Sequence, residues 1–224
     1  MPPTPTLRDR LEAGAIALID AEGPRLRVRP IRRSDAPSMM RGYDALSEQG
    51  KWFRMLHALP HLSPKMAERL CSPDPETDLC VVVEGRPEIG GLADELLGGA
   101  RIAGCRRDAW AEFAVSVRPE ARGRGLAKGC LRIVLAAVGE MGCAGAYGIV
   151  SRRNAPMIGL ARALGLSIRP DPHDAALLRA EIAVEDIPPF DAVALNEDGP
   201  AARTGPPADP GTPVVRPPAR PSSS

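Results

Sequence analysis

Apolar residues recur along this chain in two patterns, a strand-like alternation and a helical spacing of three to four residues. Strands are predicted at 26–31, 79–83, 96–105, 110–117, 145–150, 166–168 and 175–184. Helices are predicted at 34–46, 64–70, 125–141 and 154–164, with a shorter one on Leu7, Leu11, Ala15 and Leu18. This order of elements predicts a single-domain α/β fold around a mixed sheet flanked by helices.

Particular residues mark where several helices begin. Ser34 and Ser63 are the predicted N-caps of the first two main helices, with Pro64 at the first position of the second. Asn154 is the predicted N-cap of the last helix, and Gly165 its end. No element is predicted for 47–63, where large side chains such as Trp52 and Phe53 either shape a pocket or join the core.

Composition divides the chain into three parts. Residues 1–23 are predicted to be an extension whose short amphipathic helix packs on the domain or on a second subunit. Residues 24–190 form the predicted folded domain. From residue 191 onward the last 34 residues contain eight prolines, too little apolar content to offset the entropy of ordering, which predicts a disordered tail.

Charge and apolar content narrow the function classes. The net charge of +1 gives no reason to expect a nucleic-acid partner. No apolar run approaches the roughly 18 residues that a membrane span needs, so we predict a cytoplasmic protein without a membrane partner. We expect the protein to be a monomer or a homodimer. Five scattered cysteines without a C-x-x-C pair favour small buried thiols in a reducing compartment.

The segment from Val115 to Ala127 carries the strongest chemical signal. Val115 and Val117 alternate with Ser116 as in a strand, Pro119 ends that strand, and a helix follows Gly125. The first N–H groups of a helix lack partners and carry partial positive charge, and glycines allow close approach of an anion. With Arg122 and Arg124 adding charge, the segment predicts a phosphate or pyrophosphate site.

Two common phosphate signatures do not fit this segment. The chain has no G-x-x-x-x-G-K-[ST], and the glycine after Gly123 and Gly125 comes one residue too late for G-x-G-x-x-G. The pattern R-x-x-G-x-A does fit, as Arg122-Gly-Arg-Gly-Leu-Ala127 preceded by V-x-P-E. This pattern resembles the pyrophosphate signature of the GNAT superfamily of N-acetyltransferases.

That resemblance implies the GNAT fold and acetyl-CoA as cosubstrate. It assigns the pyrophosphate to Arg122, Gly123, Arg124, Gly125, Leu126 and Ala127. It assigns the pantetheine amides and the thioester carbonyl to the main chain of Val115 and Val117, on a strand that separates from its neighbour. It places Asn154 beside the cofactor arm or phosphates, a role compatible with a plain N-cap.

Further segments resemble the Pat-type protein lysine acetyltransferases: Ala45-Leu-Ser-Glu-Gln, Trp52-Phe-Arg-Met and Ala111-Glu-Phe-Ala-Val. This implies a protein lysine as acceptor and Glu112 as general base. A lysine amine has a pKa near 10 and must lose a proton before it attacks, which a nearby carboxylate can accept. Two positions depart from the wider superfamily, because Ala161 stands where a tyrosine acid is common and Leu166 where a phenylalanine is common.

Two alternatives remain open at this point. The acceptor could be a small amine such as an aminoglycoside or polyamine, which a narrow acidic cleft would favour. The chain could also be an acyl-CoA-binding regulatory module without turnover, an option that the missing tyrosine leaves open. His57 and His61 have no third ligand near them in sequence, so no metal is predicted.

Overall fold

A mixed sheet of eight strands is the centre of the computed structural model, which describes residues 5–14, 16–19, 25–87, 92–93 and 95–188. The strands are β1 (Ala17–Ile19), β2 (Arg25–Pro30), β3 (Leu79–Glu84), β4 (Leu96–Ala103), β5 (Trp110–Val117), β6 (Gly145–Ser151), β7 (Ser167–Pro170) and β8 (Leu177–Ala183). Their order across the sheet is β1-β2-β3-β4-β5-β6-β8-β7. All neighbours are antiparallel except β5 and β6, which are parallel. The predicted α/β fold with a mixed sheet is confirmed.

Six helices cover the two faces of the sheet within the described residues. They are α1 (Leu7–Glu12), α2 (Ala36–Asp44), α3 (Glu48–Met55), α4 (Pro64–Leu70), α5 (Leu126–Glu140) and α6 (Ala155–Ala163). Helix α5 packs against β3, β4 and β5 on one face, while α2 contacts β4 and α3 contacts β5 on the other. Among the described residues, none of the helices combines the length and apolarity required to span a bilayer.

The apolar run of β3 is explained by burial on both faces of this strand. Leu79, Val81 and Val83 belong to the main core beneath α5, whereas Cys80 and Val82 belong to a second core with α2 and α4. A strand covered on both sides reads as a continuous apolar stretch rather than an alternation. The predicted strand at 79–83 is therefore confirmed, one residue shorter than observed.

Of the predicted starts of the first two main helices, one is confirmed and the other is wrong. The Ser63 hydroxyl accepts a hydrogen bond from the Met66 N–H, which confirms the N-cap of α4. The N-cap predicted at Ser34 is wrong, because 33–35 forms a 3-10 turn and α2 begins at Ala36. Helix α3, for which no element was predicted, begins after the N-cap Ser47, whose hydroxyl accepts from the Gly50 N–H.

The amino-terminal helix is shorter than its apolar spacing predicts. It ends at Glu12, and Leu18, which was predicted to continue it, lies in β1 and pairs with Leu26 of β2. Leu7 and Leu11 are fully buried in the main core, so the helix packs on its own domain. The predicted disordered tail from residue 191 lies outside the described residues.

The cysteine prediction is wrong for one pair. Cys105, which follows β4, and Cys143, which precedes β6, form a disulfide with Cα atoms 5.7 Å apart. Cys71, Cys80 and Cys130 are buried free thiols, as predicted. The two bonded residues are separated by 38 positions, so only the fold brings them together.

A buried ion-pair network fixes the start of α2 to the sheet. The Arg29 guanidinium donates to both carboxylate oxygens of Asp35 at 2.8 Å and to Glu84 at 2.5 Å. Asp35 also accepts from the Arg32 N–H at 2.8 Å. Burial raises the pKa of Asp35, but the hydrogen bonds from Arg29 and Arg32 outweigh it and lower that pKa below its usual value.

Replacement of Asp35 by Asn tests this network. Asp35→Asn leaves Arg29 with a single carboxylate partner in a buried site, so we expect a loss of about 3 kcal/mol in the free energy of unfolding at neutral pH. Because the folded pKa is lowered, this stabilisation is present above about pH 4 and is lost as the pH falls through the folded pKa. Urea denaturation at pH 7 and pH 3 measures both effects.

The exposed pair Arg33–Glu68 provides the control. Glu68→Gln breaks an ion pair that water already screens, so we expect less than about 1 kcal/mol of change. Equal effects of the two variants would contradict a special contribution from the buried network.

Thiol titration tests the disulfide. Protein purified without reductant and unfolded in guanidinium should show three reactive thiols, rising to all five after reduction. Since the cross-link closes a segment of 38 residues, the double variant Cys105→Ser, Cys143→Ser should lose roughly 3–4 kcal/mol relative to the oxidised protein. Five reactive thiols before reduction would contradict the pairing.

Candidate functional site

The pairing between the parallel strands β5 and β6 ends early. It is limited to three residue pairs: Trp110 with Gly145, Ala111 with Ala146, and Glu112 with Tyr147. Beyond Glu112, β5 continues to Val117 and β6 to Ser151 without pairing with each other. We call the space between these unpaired halves the interstrand gap.

The Phe113 side chain occupies the position next to this separation. Its ring lies so close to Gly148 of β6 that a Cβ at Gly148 would be 2.5 Å from a ring carbon. Real Cβ atoms do not tolerate that approach, so a glycine is required opposite the ring. The pair Phe113 and Gly148 therefore defines how the two strands lie relative to each other where they part.

The loop between β5 and α5 has the geometry of an anion cradle. Gly123 and Gly125 adopt left-handed conformations with φ of 78° and 77°, which residues with a Cβ rarely adopt. Gly125 occupies the N-cap position of α5 and provides no side-chain cap. The first N–H groups of α5 are thus left for an external acceptor at the positive end of the helix.

The predicted cradle residues divide into anchors and exposed groups. Leu126 is buried in the main core, so only its main chain can face a ligand. Arg122, Gly123 and Gly125 are exposed, while Arg124 and Ala127 are half-buried. The core therefore holds the start of α5 in place while the glycines and Arg122 face solvent.

Val115 and Val117 lie on the unpaired half of β5. On one edge they pair with Ala100 and Gly98 of β4, and the other edge borders the interstrand gap. Their side chains pack against the main core. Only their main-chain groups can therefore reach a ligand in the gap.

Asn154 follows β6 and begins α6. Its side-chain oxygen accepts a hydrogen bond from the Met157 N–H at 3.2 Å, which confirms the predicted N-cap. Because β5 and β6 are parallel, the helices that follow them both begin at the same edge of the sheet. The N-termini of α5 and α6 thus lie at the open end of the interstrand gap.

Glu112 is the last residue of β5 that pairs with β6. Its side chain is exposed and, by the alternation of a strand, projects from the face that also carries Ala114 and Ser116. That face is turned away from α5 and towards α3. The carboxylate therefore lies at the point where the strands separate, on the face opposite the main core.

A cavity of about 120 Å³ opens on the same face. Strands β4 and β5 form its floor, and α2 and α3 form its walls. Its lining combines apolar side chains such as Met39, Leu46 and Met55 with three arginines. We call it the acceptor-side cavity, because it lies across β5 from the main core and α5.

Arg118 lines this cavity and is held by a carboxylate and by main-chain carbonyls. Its Nε donates to the Leu96 carbonyl at 2.9 Å, and its guanidinium meets Glu95 at 2.6 Å. Burial raises the pKa of Glu95, but hydrogen bonds from Ser38 and Arg41 and the charge of Arg118 outweigh this effect. The pKa of Glu95 therefore lies below its usual value. This network connects α2 to the end of β5.

The other two arginines were not singled out by the sequence. Arg54 comes from the last turn of α3 and Arg101 from β4. Trp52 and Phe53, for which a pocket role was considered, form an edge-to-face pair 6.2 Å apart and do not line the cavity. The only sequence signal was the position of Arg54 inside the segment Trp52-Phe-Arg-Met.

Two further positions bear on the chemistry. Ala161, where a tyrosine acid is common in the superfamily, is fully buried in the main core. His61 lies 2.9 Å from Asp44 through its Nδ1. Within the described ranges, no three histidine, cysteine or acidic side chains are grouped as metal ligands would be.

Comparison with known proteins is consistent with this geometry. The family model for the acetyltransferase (GNAT) domain matches residues 25–167. An acetyltransferase of Pseudomonas aeruginosa is 26% identical over 163 residues, which cover 73% of this chain and 86% of that protein.

Solved structures share the fold at low sequence identity. The crystal structure of the GNAT domain of S. lividans PAT superposes with a TM-score of 0.65 at 23% identity, covering 75% of this chain and 95% of that one. Spermidine N-acetyltransferase from Vibrio cholerae, in complex with CoA and spermine, gives 0.57 at 17% identity, covering 72% and 97%.

Gly148→Ala tests the importance of the strand separation. The added methyl group collides with the Phe113 ring, so we expect a loss of roughly 1–3 kcal/mol from overpacking and weaker coenzyme A binding. Gly159→Ala is the control, because that exposed helical position has open space around it and alanine favours helix. Thermal unfolding and calorimetric titration with coenzyme A measure both. Unchanged coenzyme A affinity in Gly148→Ala would contradict the role of this contact.

Proposed function

This chain belongs to the acetyltransferase (GNAT) family, and from that premise we propose that it transfers the acetyl group of acetyl-CoA to a protein lysine with Glu112 as general base. The observation that carries the proposal is the position of Glu112. It lies where β5 and β6 part, on the face of β5 whose residues Ala114 and Ser116 line the acceptor-side cavity. A carboxylate at that point can reach an amine that approaches the gap from the cavity.

The cofactor end of the proposal rests on charge and main-chain geometry. The uncapped N–H groups of α5, together with Arg122 and Arg124, suit the pyrophosphate of acetyl-CoA. The unpaired edge of β5 at Val115 and Val117 suits the amides of the pantetheine arm, since a free strand edge offers N–H and C=O groups. Asn154 stands at the other helix start of the same gap.

The proposed reaction is direct attack by the amine. Glu112 removes a proton from the lysine ammonium, directly or through a water molecule. The neutral nitrogen forms a bond to the thioester carbonyl carbon, and the carbon–sulfur bond breaks to release the coenzyme A thiolate. The second proton of the attacking nitrogen then passes to this thiolate or to water, which leaves the neutral amide. A main-chain N–H of the β5 edge, at Val115 or Val117, stabilises the charge that develops on the carbonyl oxygen.

The state of Cys80 supports direct attack rather than an acetyl-cysteine intermediate. Among the free cysteines Cys71, Cys80 and Cys130, Cys80 is the one in the lining of the acceptor-side cavity. Burial raises its pKa to about 12. The sulfur is therefore a neutral thiol at physiological pH, and the thiolate is the form that attacks.

A lysine side chain suits the acceptor-side cavity as acceptor. The apolar part of the lining complements its methylene stem, which can be buried while the amine reaches the polar rim. The fold similarity to the GNAT domain of S. lividans PAT favours a Pat-type role. The similarity to a spermidine N-acetyltransferase keeps small amines as the alternative.

Glu112→Gln tests the general base. Loss of the carboxylate should reduce kcat by about 10²-fold or more at neutral pH, while coenzyme A affinity stays unchanged because the cradle is untouched. The reduction should shrink at high pH, where the acceptor amine deprotonates without help. Glu185→Gln, an exposed carboxylate after β8, is the control. Full turnover of Glu112→Gln at pH 7 would exclude Glu112 as the base.

The acceptor class is tested with labelled acetyl-CoA. Incubation with a bacterial extract, followed by separation by size, should place the label on lysines of the protein fraction. Label only in the small-molecule fraction would overturn the protein-lysine proposal in favour of a small amine. Binding of acetyl-CoA without any transfer would overturn the enzymatic proposal in favour of a regulatory module.

A further inference from the structure

We infer that Arg54 and Arg101 form a carboxylate-binding subsite inside the acceptor-side cavity, so that the acetylated amine belongs to an acceptor that also carries a nearby carboxylate. This inference rests on the proposed function, because it assigns the cavity to the acceptor. It adds a substrate class that the family does not by itself define. Its basis is a contrast among the three arginines of the cavity.

Arg54 is the arginine whose charge is least compensated. It is half-buried in the cavity wall, and no carboxylate of the described residues lies within ion-pair distance of it. Burial lowers its pKa, with smaller effects from Cys80, Arg101 and Glu112. A partly buried guanidinium without a counter-ion is less well compensated than a paired one, and an anion that enters the cavity would supply the missing charge.

Arg101 is only partly satisfied. One of its terminal nitrogens donates to Asp78 at 2.7 Å. Its Nε is buried and has no hydrogen-bond partner among the described residues. A buried N–H without an acceptor is rare in folded proteins, so this one calls for an acceptor such as a water molecule or a ligand group.

Arg118 provides the internal comparison. It lines the same cavity, but Glu95 and two main-chain carbonyls satisfy it. The chain thus supplies a carboxylate to Arg118 and to one terminal nitrogen of Arg101. It leaves the Nε of Arg101 without an acceptor and Arg54 without a carboxylate among the described residues. A carboxylate is the group that matches guanidinium donors in geometry and charge.

Glu112 completes the complementarity. It lies on the face of β5 that also carries the cavity-lining residues Ala114 and Ser116, and Arg54 lies in the cavity wall. An acceptor with an amine and a carboxylate can place the amine by Glu112 and the carboxylate by Arg54. A polyamine would instead place a second ammonium beside two guanidinium groups, which like-charge repulsion opposes.

The test compares two peptides that differ in one group. Each contains a single lysine, flanked by Glu in one and by Gln in the other, with blocked termini. A second comparison uses free lysine and lysinamide, which differ in the α-carboxylate. The first comparison reports a side-chain carboxylate on a protein acceptor and the second a small amino-acid acceptor, and spermidine is the polyamine reference.

The protein should prefer the carboxylate-bearing member of at least one comparison by about tenfold or more in kcat/KM, the ratio expected of a charged hydrogen bond. In Arg54→Gln this preference should fall close to one, because a neutral amide cannot form an ion pair with the carboxylate. Spermidine use should rise in the same variant. Arg69→Gln, an exposed arginine of α4 outside the cavity, should keep the preference.

Binding separates failure of the subsite from failure of the proposed function. Calorimetric titration of both pairs into protein saturated with coenzyme A reports the carboxylate preference whether or not acetyl transfer occurs. A preference of the wild type near one in both pairs, or one that Arg54→Gln retains, overturns the subsite. Binding preference without any acetylation supports the subsite and overturns the enzymatic proposal. If the Gln variant does not fold, Arg54→Lys replaces it in the same assays, because lysine keeps the positive charge and removes the planar guanidinium.

Discussion

The separation of two parallel strands after three residue pairs is the constraint on which the site depends. If β5 and β6 stayed paired to their ends, the main-chain N–H and C=O groups of Val115 and Val117 would form hydrogen bonds with β6 and could not bind a ligand. The contact between the Phe113 ring and Gly148 lies where the pairing stops. Because both strands run the same way, their separation also brings two helix N-termini to one edge.

Strand β5 divides the molecule into a structural and a chemical side. Its α5-facing residues Ala111 and Phe113 belong to the main core, and they anchor a helix whose own start is the anion cradle. Its other face bears Glu112 and borders the acceptor-side cavity. One strand therefore connects the cradle at its end, the gap at its edge and the cavity on its face, so a shift of β5 would alter all three together.

Local patterns were sufficient for most of the fold. The strand at 110–117 and the caps at Ser63 and Asn154 follow from alternation and side-chain chemistry within a few residues. The R-x-x-G-x-A segment placed the cradle for the same reason. Helix α3 was missed because it is short and its apolar face includes Lys51, a buried lysine that reads as polar.

Features made by distant residues could not be predicted in this way. The bond between Cys105 and Cys143 depends on the ends of β4 and α5 meeting. The net charge of the cavity lining depends on which arginines form ion pairs with carboxylates. Arg118 pairs with Glu95, while Arg54 has no carboxylate partner among the described residues. Neither pairing has a signature in the spacing of the residues along the chain.

The position of the disulfide has a mechanical consequence. Cys105 and Cys143 lie just before the amino ends of β5 and β6, at the opposite end of these strands from the interstrand gap. The cross-link therefore fixes the distance between the strands where they are paired and leaves their far ends untethered to each other. We therefore expect any change in the width of the gap to pivot about this cross-linked end.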